Sequence, residues 1–143
     1  MDVMPARSRQ PGSVLRSRMA DTEPDDRPPH RLRIRILLGK DAPFGPGKAD
    51  LLDAVHRTGS IAAAGRQMGM SYQRAHDLVS AMNGHFREPV VAPVKGGSRG
   101  GGSELTPFGR DVLAAYREIE ELAERAAAGR LAWLQARLAP ERG

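Results

Sequence analysis

Ser60 and Ser71 stand eleven residues apart, each opens an apolar pattern of helical period, and Gly69 lies between them. A serine side chain caps the free N–H groups of a helix start, and a glycine accommodates the left-handed residue that ends one. One continuous helix therefore cannot cover both patterns. The spacing predicts a short helix of about two turns, with Ile61, Ala64 and Met68 inward, and then a longer helix from Ser71 to about His85. In the second, Tyr72, Ala75, Leu78, Val79, Met82 and Phe86 fall on one stripe. The small residues of Ile61-Ala62-Ala63-Ala64-Gly65 let the first helix press close to its partner.

The flanking segments complete a pattern. From Arg31 to Leu38 arginines alternate with aliphatics, a period of two that predicts a strand. Gly39 to Gly47 is expected to be a loop, and Lys48 to Arg57 a helix with Leu51, Leu52 and Val55 buried and a stop at Thr58-Gly59. Beyond His85, Pro89 to Val94 reads as an edge strand, Lys95 to Ser103 as a glycine-rich loop and Glu104-Leu105 as the return strand of a hairpin. Thr106 caps a last helix with Pro107 at its first position, continuing through Leu138 with a weak point at Gly129. The expected fold is mainly α with a small β-sheet (α+β), a winged helix-turn-helix with a long C-terminal dimerisation helix. Residues 1–30 are expected to form a disordered extension, 31–105 the winged domain and 106–143 the dimerisation helix.

Charge follows this division. Residues 31–105 hold eleven Lys or Arg against six Asp or Glu, which is the whole net charge of +5, while both flanks cancel. A polyanion is met by the middle of the chain. In a helix-turn-helix the second helix enters the major groove. On that helix Gln73, Asp77 and Ser80 lie opposite the apolar stripe, flanked by Arg74 and His76. Glutamine can pair with adenine and arginine with guanine, and Ser71 at the helix start suits a phosphate. The expected DNA-binding set is Ser60, Arg66, Ser71, Tyr72, Gln73, Arg74, His76, Lys95, Ser98 and Arg99. Tyr72 fits either core packing or a phosphate contact, His76 fits DNA or plain solvent, and Asp77 would oppose a phosphate. Lys95, Ser98 and Arg99 sit in the glycine-rich loop, whose slight bulk lets its backbone approach a phosphate ridge or minor groove.

In the last helix Phe108, Val112, Ala115, Ile119, Leu122 and Ala126 recur at heptad spacing, and Trp133 continues the phase through Gly129. That seam is the expected dimer interface, with packing of the first turns on their own domain as the other use. Removing everything after Thr106 is then expected to leave a monomer that binds a half-site weakly.

Other functions lack their residues. There is no cysteine, so neither disulfides nor thiolate chemistry is available. His30, His56, His76 and His85 show no metal-ligand spacing, no Ser, His and acid combination has motif context, and the glycine-rich segments lack the Gly-Lys-Ser/Thr of a nucleotide loop. No catalytic residue, metal or cofactor is expected. No stretch nears the roughly 20 apolar residues of a membrane helix, and a cytoplasmic protein without a membrane partner is expected.

Gly59-Ser60-Ile61-Ala62-Ala63-Ala64-Gly65, Met70-Ser71-Tyr72, the glycine-rich wing and Leu105-Thr106-Pro107-Phe108-Gly109 together resemble the DNA-binding domain of ModE-type molybdate-responsive regulators. More distantly they resemble the N-terminal domain of LysR-type regulators. The likeness covers about residues 31–125. It implies a dimeric winged helix whose long C-terminal helix joins the subunits. Full-length members also carry oxyanion-binding domains, which this sequence is expected to lack, so no molybdate is expected on this chain. The expected function is a homodimeric, sequence-specific regulator of transcription on double-stranded DNA; the alternative is a non-enzymatic protein-interaction module built on the same fold.

Overall fold

The computed structural model describes residues 32–95 and 102–142. The reading of residues 1–30 as a disordered extension lies outside them, as do Ser98 and Arg99 of the wing. The described elements are β1 (Ile36–Leu37), β2 (Pro43–Phe44), α1 (Pro46–Thr58), α2 (Ile61–Gln67), α3 (Tyr72–His85), β3 (Val91–Val94), β4 (Gly102–Leu105) and α4 (Pro107–Gln135). This is the mainly helical winged helix-turn-helix expected from the sequence, with two small antiparallel sheets.

The alternation from Leu32 holds in burial: Leu32, Ile34 and Ile36 are half-buried while Arg33 and Arg35 are exposed. The strand itself is shorter than expected, because its backbone finds side-chain partners on α4 instead of a ladder. The Leu32 N–H donates to the Glu124 carboxylate at 2.9 Å, and the Ile34 carbonyl accepts from the Tyr116 hydroxyl. Only Ile36 and Leu37 pair, with Phe44 and Pro43 respectively. The segment expected as a Gly39–Gly47 loop thus contains β2. It also contains a core residue, since Phe44 is buried and packs on Tyr116 with ring centroids 5.2 Å apart. Helix α1 starts at Pro46, two residues before Lys48, because proline at the first helical position lacks only an N–H that would have had no partner.

The turn between α2 and α3 follows the sequence. Ser60 Oγ accepts from the Ala63 N–H at 3.0 Å, and Ser71 Oγ accepts from the Arg74 N–H at 3.0 Å. Gly69 has φ +70°, the left-handed conformation that a side chain would strain. The helices touch at Gly65, where an added Cβ would sit 3.1 Å from the Ala75 Cβ. Leu51, Leu52, Val55, Ala64, Ala75, Val79 and Met82 form the core with Val90, Val91 and Leu105 from the wing. Ile61, Met68, Leu78 and Phe86 are half-buried against it. Tyr72 leaves the expected apolar stripe: it is 55% exposed, which removes the core reading of that residue.

The wing pairs β3 with β4 from Val91↔Leu105 to Val94↔Gly102, so the return strand begins two residues before Glu104. The first strand begins later than Pro89, because Thr106 takes the carbonyls of Pro89 and Val90 at 2.7 and 3.0 Å. Asn83 holds the Val90 and Val91 N–H groups at 2.8 and 3.2 Å. The Ser103 N–H donates to the Gly59 carbonyl at 2.9 Å, which anchors the wing to the end of α1.

Helix α4 passes through Gly129 without a break and ends at Gln135, short of the expected Leu138. There the bonds tighten to three-residue spacing, from Arg137 N to Leu134 O and from Leu138 N to Gln135 O. Its first turns belong to the core of the winged domain. Phe108 meets Phe86 edge-on at 5.5 Å, Val112 and Leu113 pack inward, and Tyr116 is buried. The core therefore runs across the boundary expected at residue 106. Cutting after Thr106 would remove these groups from the core.

Candidate nucleic-acid interface

Helix α3 inserts Ala75, Val79 and Met82 into the core, and the same 100° step turns Tyr72, Gln73, Arg74, His76, Asp77 and Ser80 to solvent. Gln73 Nε2 donates to Asp77 Oδ1 at 2.8 Å, one helical turn on. Asp77, expected to oppose a phosphate, thus holds the Gln73 amide in place and leaves its carbonyl oxygen open. Arg74 is exposed, with no partner among the described residues. His76 is exposed and its ring lies 5.6 Å from that of Tyr72. The Ser71 hydroxyl accepts the Arg74 N–H, and its own proton can still be donated.

The other expected residues lie on other elements. Ser60 caps α2 and is half-buried, and Arg66 is exposed near the end of α2. Lys95 is exposed at the tip of β3. A further basic residue of α1, Arg57, is tied down by Asp53 at 2.9 Å and Gln67 at 3.1 Å.

Sequence reasoning did not assign Arg35 or Lys48 to the interface. Both line an open groove of about 310 Å³ between β1–β2, the start of α1 and α3, together with Arg74, Met70 and Leu78. Lys48 Nζ donates to the Pro43 carbonyl at 2.7 Å. Partial burial, and then the charges of Arg35 and Arg74, lower its pKa from the ordinary lysine value. The signal for Arg35 was present in the arginine face of the alternating segment. For Lys48 the sequence carries no such signal, since it follows Gly45-Pro46-Gly47 outside any alternating or helical charge pattern.

Of the four histidines, His30 lies outside the described residues, and His56, His76 and His85 are exposed. Among the described residues no group of three or more His, Asp or Glu converges as a metal site. No helix among them is long and apolar enough to cross a membrane.

No family model matches the chain. It is 49% identical over 85 residues to the molybdenum-pterin-binding protein MopB of Rhodobacter capsulatus, covering 59% of this chain and 32% of that protein. The chain is similar to ModE-type proteins. It is 42% identical over 92 residues to the molybdenum transport protein ModE of Azotobacter vinelandii, covering 62% of this chain and 34% of that one. It is 30% identical over 81 residues to the DNA-binding transcriptional dual regulator ModE of Escherichia coli K12, covering 57% and 31% respectively. The chain spans about a third of the length of the curated relatives it matches. Among solved structures, the crystal structure of a CbnR_DBD–DNA complex aligns at TM-score 0.48 and 26% identity, covering 64% of this chain and 97% of that one.

Proposed function

We propose that this chain is a transcription regulator that binds specific sequences of double-stranded DNA as a homodimer. The observation that carries the reading is the division of α3, whose inner stripe is locked into the core while Gln73, Arg74 and His76 stand outward. A helix fixed on one side and rich in forked donors on the other can enter a major groove with its side chains at base edges. The relatives' names agree, since one is a DNA-binding transcriptional dual regulator. Ser71, Tyr72 and Lys95 contact phosphates in this reading, with Ser60, Arg66, Ser98 and Arg99 as further candidate DNA contacts.

The dimer rests on the later part of α4. Phe108 and Val112 serve their own core, which leaves Ala115, Ile119, Leu122 and Ala126 as the seam. Ile119 is 41% exposed and Leu122 51%, and Trp133 continues the row at 50%. An exposed apolar stripe of this length calls for a cover, and a second copy supplies the same heptad spacing in return. A different protein on the same stripe is the alternative, as for an interaction module that binds no DNA.

Selection of bound fragments from a genomic library tests the reading. The expected product is an inverted repeat, with half-sites about one helical turn or a multiple of it apart. Failure to enrich any sequence would contradict it and favour the interaction module.

A further inference from the structure

The groove beside α3 is lined by three basic residues and by apolar ones. Arg35 enters from the β1 side, Lys48 from the first turn of α1 and Arg74 from α3, while Pro43, Met70 and Leu78 form apolar wall between them. None of the three cations has a carboxylate partner among the described residues, since Lys48 is bonded to the Pro43 carbonyl and Arg35 and Arg74 are open. Three like charges gathered around one depression repel one another, and an anion seated between them relieves that repulsion. Gly45, Pro46 and Gly47 at the start of α1 line the same groove, and no side chain caps that helix start.

We infer that this groove seats a phosphodiester of the DNA backbone, held by Arg35 and Lys48 and lying beside Arg74, whose guanidinium reaches on to the bases. This deepens the proposed function and rests on it. The chemistry of the backbone matches the lining: each phosphate is flanked by apolar deoxyribose, as the cations here are flanked by Pro43, Met70 and Leu78. The openness of the groove suits a continuous strand passing along a surface. Position suits it as well, because Arg74 belongs to the helix proposed to lie in the major groove, whose walls are phosphate ridges. Arg35 and Lys48 thereby become positioning contacts that set the depth and register of α3, and neither carries base information.

The test uses the full chain, its selected duplex and two variants, Arg35→Gln and Lys48→Gln, with affinities measured across salt concentrations. Each variant is expected to bind selected and shuffled duplexes several-fold more weakly, with the site preference kept. The slope of log affinity against log salt should fall by about one. Duplexes with single neutral methylphosphonate linkages give a readout that does not depend on the variants' stability. One linkage per half-site should weaken the parent protein, and that same linkage should weaken Arg35→Gln and Lys48→Gln by less than it weakens the parent. Parental affinity and slope in both variants, alongside lost discrimination in Arg74→Ala, would overturn the groove contact and leave the proposed function standing. If the parent binds no duplex at all, both readings fall. Inorganic phosphate separates the other source of the same chemistry: if it raises the melting temperature of the parent but not of Lys48→Gln, while both variants bind DNA like the parent, the groove takes free phosphate and the inference fails.

Discussion

The Tyr116 hydroxyl donates to the carbonyl of Ile34, a residue 82 positions earlier, and so ties the extended segment before β1 to the long helix. Tyr116 is buried beneath Phe44, where burial raises its pKa above the ordinary tyrosine value of 10.0. Tyr116→Phe leaves the Ile34 carbonyl without this donor and is expected to cost about 1–3 kcal/mol, read as a lowered melting temperature. The pH dependence has a definite sign. The folded state keeps the proton to higher pH than the unfolded chain, so the stabilisation is complete below 10.0 and is lost as pH rises past it. Tyr116→Phe should be less sensitive to alkali in that window; an equal loss in both proteins would remove Tyr116 as its source.

Gly65 of α2 faces Ala75 of α3, and an added Cβ at Gly65 would lie 3.1 Å from that of Ala75. Gly65→Val is therefore expected to destabilise by about 1–3 kcal/mol through overpacking. Gly65→Ala combined with Ala75→Gly should recover stability relative to Gly65→Ala alone. Purely additive melting temperatures would show that the two positions do not press on one another.

Arg74→Ala should reduce discrimination between the selected site and its single-base variants, by about 1–3 kcal/mol for a bidentate arginine–guanine pair. Lys95→Ala should weaken all duplexes alike. Affinities for a panel of point-substituted duplexes decide this, and an intact preference in Arg74→Ala would move that residue off the bases.

Ile119→Asp places a charge in the apolar row of α4 at a position 41% exposed in the described chain. The fold of each protomer should survive, while the dimer should dissociate because a charge buried there would have no partner. Sedimentation of Ile119→Asp as an unchanged dimer would rule out this seam.

Much of this architecture was legible because capping is local. Ser60, Ser71, Thr106 and Gly69 announce helix ends within three or four residues, and their bonds lie where the spacing puts them. What was not legible depends on distant partners. Nothing near Phe44 says that Tyr116 will cover it, and the arginine-aliphatic alternation could not show that Glu124 and Tyr116 would replace a strand as partners of Leu32 and Ile34. The heptad in α4 is apolar as its spacing implies, but periodicity alone cannot apportion Phe108 and Val112 to the core and Ile119 and Leu122 to the surface. The same holds for the candidate interface: α3 could be read from its period, whereas Arg35, Lys48 and Arg74 come together only through folding.

The most direct test compares affinity for the selected site with affinity for a shuffled duplex of equal length, measured by fluorescence anisotropy from low to physiological salt. Specific recognition predicts a ratio of about 10³ or more at physiological salt. The basic middle segment predicts that both affinities fall steeply as salt rises, because neutralised phosphates release counterions. Equal affinity for the two duplexes, or binding that salt leaves unchanged, would contradict a regulator that reads DNA through this face.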